Sequence, residues 1–361
     1  LVRESDTPAR LGGDEFLILL EGLNHQGQAE VVAHKLTRCF NKPFFLEKRE
    51  IYTSASIGVS TFPDDANSAD LLMQYADTAM YYAKQRGRNN YRFFSKELRA
   101  TIDEQLSIES RLRHAIKNNE LLLYFQPKID ITEEKIIGAE ALLRWNNPEL
   151  GPVPPNVFIP IAEKYGLIEN IGSWVLEMAC QEASHWQTIS SQNLHVAVNV
   201  SAQQFRSKDL LYKVDNALQK SGLPPNLLEM EITETLLVQD TKEPLDILNS
   251  LRDRKITLSL DDFGTGYSSL SYLKRFPIQI LKIDRSFIHD LTDNQYNRSL
   301  VDAIIAMGHS LELRIVAEGV ENKEQLEFLR ERKVKVVQGY LFSPPVSIED
   351  FRSLIIKPPP A

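Results

Sequence analysis

At 361 residues, with 43% hydrophobic and 25% charged residues, the chain has a globular composition and room for two domains, one of them a barrel of about 250 residues. Its 49 acidic and 41 basic residues give a net charge of −8, which excludes the broad basic face that a nucleic-acid polymer requires. Two distant cysteines, Cys39 and Cys180, form neither a disulfide framework nor a zinc signature, so a cytoplasmic location is expected; no signal peptide and no apolar run near the ~18 residues of a membrane span is present.

The chain starts at Leu1 rather than Met, so a longer parent is expected, with any sensor or anchor upstream. Near the start, Gly12, Gly13, Asp14, Glu15 and Phe16 read as a tight turn ahead of an apolar strand at 16–20. Helical periodicity follows at 30–40, then a strand region at 50–61 that ends at Pro63. Residues 69–85 predict a helix with Leu72, Ala76, Ala79, Met80 and Ala83 on one face, stopped by Gly87. A strand at 91–94 closes a first domain of residues 1–95. The charged stretch 96–119 lacks proline and glycine and predicts a connecting helix into a second domain at 107–356.

That second domain repeats an apolar run, a polar residue at its end, a loop and a helical segment. The runs lie at 121–125, 136–143, 194–200, 227–232, 256–260, 278–283, 314–317 and 334–337. Eight such strands with intervening helices predict an α/β fold, a (β/α)8 barrel. Only the turn-forming residues 128–135 separate the first two runs, so this pair is expected to be an antiparallel hairpin in a modified barrel.

Barrel chemistry gathers at the carboxyl ends of the strands. Those ends carry Glu140 and Arg144, then Asn199, Glu231, Asp261 and Asp262, Lys282, Glu318 and Gln338. Any one could be a solvated strand terminus, but charges ending apolar strands in succession are costly unless paired or bound to metal. Oxygen donors without histidine or cysteine suit Mg²⁺ or Mn²⁺ rather than Zn²⁺. The adjacent Asp261 and Asp262 could serve two ions, the usual device for displacement at phosphorus. Lys282 suits a developing oxyanion or a nucleophilic water, or a plain salt bridge, and Arg144 suits a phosphate clamp.

The segments EALLR at 140–144, NVS at 199–201, EITE at 231–234, DDFGTG at 261–266, LKID at 281–284, AEGVE at 317–321 and QGY at 338–340 resemble, in order, the EAL-domain cyclic di-GMP phosphodiesterases. The resemblance covers about 107–356 and implies cleavage of cyclic di-GMP to linear pGpG with Mg²⁺ or Mn²⁺, two ions in all. It implies that Glu140, Asn199, Glu231 and Asp261 hold one ion, with Asp261 bridging to a second beside Asp262 and Glu318. Lys282 would orient the water, Glu234 would steady the 262–269 loop, Gln338 would support the site, and Gln126 with Arg144 would face the substrate.

Residues 1–95 resemble the C-terminal part of a GGDEF domain, which in its intact form joins two GTP molecules into cyclic di-GMP. Asp14 and Glu15 match that family's acids, Lys84 and Arg88 its phosphate contacts, and Arg3 with Asp6 its inhibitory product site. The large N-terminal half of that domain is absent from this sequence, so cyclase activity is not expected and a regulatory remnant, answering to GTP or cyclic di-GMP in the parent, is. Two other readings remain open: a catalytically silent cyclic di-GMP-binding module, and a Mg²⁺-dependent lyase of the enolase type. A homodimer is expected, with Phe287 and Ile288 in its surface or packed as ordinary barrel residues.

Overall fold

The computed structural model describes residues 2–23, 25–46, 49–85, 87, 89–234, 242–264, 275–291 and 294–356. The chain divides into two compact units, residues 1–107 and 108–361.

In the first unit, β1 (Thr7–Gly12) and β2 (Glu15–Leu19) form an antiparallel hairpin, followed by α1 (Gln26–Cys39). A second antiparallel pair, β3 (Phe44–Leu46) and β4 (Arg49–Ile51), comes next. Then β5 (Ile57–Val59), α2 (Ala69–Gln85) and β6 (Tyr91–Phe93) make a parallel β–α–β unit. Ala79 and Ala83 are fully buried on α2, and Tyr75 stacks on Phe94 with ring centroids 3.9 Å apart. Among the described residues these strands make three separate two-stranded sheets. Phe16, Phe45, Tyr52 and Phe62 are exposed.

The helix α3 spans Lys96–Leu112, shorter than the 96–119 expected, and the division between the units falls within it. Residues 113–119 form turns instead, with Asn119 in the left-handed region at φ 56°.

The second unit is a closed barrel. Its strands are β7 (Leu121–Asp130), β8 (Lys135–Asn147), the short β9 (Gly151–Val153), β10 (His195–Val200), β11 (Leu228–Thr233), β12 (Thr257–Phe263), β13 (Ile280–Ile283), β14 (Arg314–Glu318) and β15 (Val336–Gln338). Those from β10 to β15 pair in parallel in chain order, β15 pairs with β7, β7 with β8, and β8 closes the ring onto β10. β7 runs antiparallel to both neighbours, so the modified barrel expected from the sequence is what forms. Closure brings β8 and β10 so near that a Cβ on Gly138 would lie 2.3 Å from the His195 carbonyl oxygen, which only glycine tolerates.

Around the ring lie α4 (Pro155–Lys164), α5 (Ile168–Ile189), α6 (Ala202–Phe205), α7 (Leu210–Ser221), α8 (Lys242–Asp253), α9 (Arg285–His289), α10 (Gln295–Ser310), α11 (Lys323–Glu331) and α12 (Ile348–Ile356). Alternate strand residues form the core between strands and helices, for example Leu228, Met230 and Ile232, or Leu281 and Ile283. Trp186 of α5 is packed between Phe125 and Phe351, at centroid distances of 5.0 and 4.7 Å. Ile288 of α9 is wholly buried in this core, the ordinary barrel packing that is one of its two expected places; Phe287 is half-buried. Among the described residues no helix is long and apolar enough to cross a membrane.

Candidate active site

Strand alternation decides which side chains enter the lumen. Since Leu228, Met230 and Ile232 belong to the outer core, Glu229 and Glu231 face inward on β11. The same parity places Thr257, Ser259 and Asp261 of β12 inside, with Lys282 of β13, Glu318 of β14 and Gln338 of β15. Gln126 of β7 sits opposite Glu140 of β8 in the antiparallel register.

Lys282, fully buried, is the hub. Its Nζ lies 2.6 Å from Glu231 Oε2, 2.6 Å from Glu318 Oε1, 3.1 Å from Asp261 Oδ1 and 3.8 Å from Glu140 Oε2. Only the Glu231 contact is also a directed hydrogen bond; Glu318 Oε1 is close but outside hydrogen-bonding angles. Both oxygens of Glu140 are held, Oε1 by Asn199 Nδ2 at 2.7 Å and Oε2 by Gln338 Nε2 at 2.8 Å. Gln338 Nε2 also donates to Gln126 Oε1 at 2.8 Å, and Gln126 Nε2 donates to the Ser343 carbonyl at 3.1 Å. Gln126 is therefore buried and engaged at both ends of its amide. Expected to face the substrate, it here braces Glu140 through Gln338.

Asp261 and Asp262 separate in the way two adjacent ligands need. Asp262 has φ 55°, and the β12–β13 register shifts between Leu260 and Phe263. The irregularity leaves Asp261 buried and Asp262 exposed on the same strand end, with the Asp262 amide donating to Asp261 Oδ1 at 2.9 Å. A non-glycine residue in this region stores about 1–3 kcal/mol of strain, the kind kept at functional sites. Glu234, just past β11, accepts from the Gly264 amide at 3.2 Å, so it holds the start of the following loop; residues 265–269 of that loop lie outside the described residues. Arg144 lies four residues beyond Glu140 on β8, half-buried, with its guanidinium 5.5 Å from the centre of the Tyr124 ring.

Burial, then the neighbouring Glu231 charge, pushes Glu140 above the usual carboxylate range. Burial likewise raises Glu318, against the pull of Lys282. Glu231 goes the other way, because Lys128 and Lys282 together outweigh its burial. Lys282 is raised despite burial by Glu140, Glu231, Glu318 and Asp261, a surrounding that favours its ammonium form. Burial and Asp261 raise Asp262, and burial lowers Arg144.

Among the described residues no three Asp, Glu, His or Cys side chains close around a common cation position; the cation these acids gather on is Lys282. In kind, the donors do fit a hard divalent ion, being carboxylate and amide oxygens without thiol or imidazole. Glu318 Oε1 and Gln338 Oε1 are also buried acceptors without a hydrogen bond among the described residues.

The N-terminal residues make no comparable cluster. Asp14, Glu15 and Lys84 are exposed, Asp14 in the β1–β2 turn, and Arg88 lies outside the described residues. Asp6 is buried, with its carboxylate accepting from the Arg3 backbone amide at 2.7 Å, while the Arg3 side chain is exposed.

Two buried charges escaped the sequence reading. Lys128 Nζ donates to Glu229 Oε1 at 2.9 Å and to Glu231 Oε1 at 2.8 Å. Residues 128–135 read as a loop, whereas β7 continues to Asp130. The available signal was spacing by two: Lys128 follows Gln126, and Glu229 precedes Glu231, on the same strand faces.

The chain matches the family model of the EAL domain over residues 109–345 and that of the diguanylate cyclase, GGDEF domain over 1–90. It is 44% identical over 352 residues to the signaling protein YkoW of Bacillus subtilis, covering 97% of this chain and 44% of that protein. To MucR of Pseudomonas aeruginosa, named a bifunctional diguanylate cyclase/cyclic di-GMP phosphodiesterase, it is 43% identical over 348 residues, covering 96% and 51%. The chain thus spans about half the length of these curated relatives. Among solved structures, the PaMucR phosphodiesterase in complex with c-di-GMP superposes with a TM-score of 0.66 at 43% identity, covering 68% of this chain and 99% of that one. The barrel, its antiparallel first strand and the acids around Lys282 thus belong to a chain of the EAL domain family, with a GGDEF-family region ahead of it.

Proposed function

We propose that the barrel hydrolyses cyclic di-GMP to linear pGpG with Mg²⁺ or Mn²⁺. The observation that carries the reading is the convergence of Glu140, Glu231, Asp261 and Glu318 on Lys282, with Asn199 hydrogen-bonded to Glu140. The likeness to a solved phosphodiesterase complexed with c-di-GMP supports the choice of substrate.

Glu140, Asn199, Glu231, Asp261 and Asp262 would hold two ions, with Glu318 beside the second. Such ions lower the pKa of a bound water and neutralise charge on a phosphodiester oxygen. Lys282, as an ammonium, orients the attacking water and stays close to the oxygen on which negative charge develops. Arg144 clamps the substrate phosphate, with Tyr124 supporting its guanidinium. Gln338 and Gln126 hold Glu140, and Glu234 holds the loop that starts at Gly264. Water adds to phosphorus, one ring P–O bond breaks, and the freed 3′ oxygen takes a proton, which opens the cycle.

Purified protein with Mn²⁺ and cyclic di-GMP is the test. Glu140→Ala and Lys282→Ala should each lower turnover by at least about 100-fold, the scale of removing a group that stabilises transition-state charge. Turnover within a few-fold of wild type in either folded variant would refute these assignments.

A further inference from the structure

Lys128 takes no part in the reaction just set out, yet it is among the most deeply buried charges in the barrel, 3% exposed. It enters the lumen from β7, two residues past Gln126 and so on the same face. Its partners lie on the opposite side of the chain's order, Glu229 and Glu231, which are two apart on β11. The result is a two-rung polar interior, with Gln126, Gln338 and Glu140 on one rung and Lys128 with Glu229 on the other.

Glu231 joins the rungs. Its Oε1 is bound by Lys128 at 2.8 Å and its Oε2 by Lys282 at 2.6 Å. A carboxylate tied through one oxygen swings about its terminal torsion, which is broad. In the proposed reaction Lys282 also serves the attacking water, so it is a poor sole anchor for Glu231. Lys128 has no such second duty, and its other contact, Glu229, is itself buried. A buried ion pair adds little net stability over an apolar pair, so what this cluster supplies is fixed geometry.

We propose that Lys128 is a positioning residue that grips Oε1 of Glu231 within the barrel and thereby fixes how Oε2 is presented to the reacting groups. The inference rests on the reading of Glu231 as a metal ligand. Groups of this kind, behind the ligands themselves, typically govern metal affinity by about 10–100-fold.

The test is Mn²⁺ uptake by the full chain, followed by the electron paramagnetic resonance signal of the free ion, with steady-state kinetics on cyclic di-GMP alongside. Lys128→Met should weaken Mn²⁺ binding by about 10–100-fold. kcat at fixed Mn²⁺ should fall with it, while KM for the nucleotide moves little. Should that variant fail to fold, Lys128→Met with Glu229→Gln removes the charge left unpaired on Glu229 and carries the same expectation. A folded double variant with wild-type Mn²⁺ affinity overturns the positioning role and leaves the metal reading standing. A wild-type chain that takes up no Mn²⁺ sinks the metal reading, and this inference with it.

Discussion

Glu231 shows how single residues set the electrostatics of the barrel. Two ammonium groups, one on each carboxylate oxygen, keep it charged in a place where burial alone would favour the acid form. Glu140 and Glu318, with a weaker share of the same cations, shift upward instead. Lys282 was legible in the sequence because it follows an apolar run and a turn cannot claim it. Lys128 was not, since it precedes Asp130, Thr132 and Glu133, which read as a turn and masked the last residues of β7. A half-buried histidine gives a prediction at this scale. His195 is lowered below 6.5 by burial and by the charges of Arg314 and Lys128, against an opposing pull from Glu229. With the folded value depressed, the unfolded chain binds the proton more readily. The stabilising contribution is therefore present above pH 6.5 and is lost as pH falls through the lower folded value. Urea midpoints measured from pH 8 to 5 should drop more steeply for wild type than for His195→Gln; parallel curves would show that His195 contributes nothing.

At the scale of elements, strong periodicity was the reliable signal. The helix expected at 69–85 forms as α2, because apolar residues mark one face and Gly87 lies beyond its end. The helix expected at 96–119 stops at Leu112, for which the absence of proline and glycine gave no warning. Only the tertiary fit reveals that ending: Leu112 and Ala115 are buried in the barrel core, and the chain must turn there to enter β7. The strained backbone at Asp262 was equally hidden, since aspartate carries no obligatory mark of positive φ. How α5 is seated can be tested through Trp186, fully buried against Phe125 and Phe351, whose indole nitrogen has no hydrogen-bond partner among the described residues. Trp186→Ala should destabilise the barrel by about 3–5 kcal/mol, the range for emptying a large aromatic site. Trp186→Phe should cost clearly less, because no hydrogen bond is given up. Chemical denaturation of both variants checks this; equal losses would mean that the indole nitrogen is bonded after all.

For the whole molecule, the two units differ in how their strands are paired among the described residues. The barrel closes on itself, buries its apolar strand faces under helices and keeps a charged lumen. The first unit's strands form three separate pairs among the described residues, and its Asp14 and Glu15 stand exposed on a hairpin. The sequence motifs resemble both a domain that makes this nucleotide and one that breaks it, and the expectation is hydrolysis by the barrel without cyclase activity. The charged cluster around Lys282 lies in the barrel, and the first unit holds no comparable cluster among the described residues. The most direct measurement is product analysis of cyclic di-GMP incubated with the purified chain, across Mg²⁺ and Mn²⁺ concentrations and with a chelator. Linear pGpG should appear with either ion and disappear with the chelator. Cyclic di-GMP that is bound yet remains uncut at every metal concentration would contradict the proposed hydrolysis.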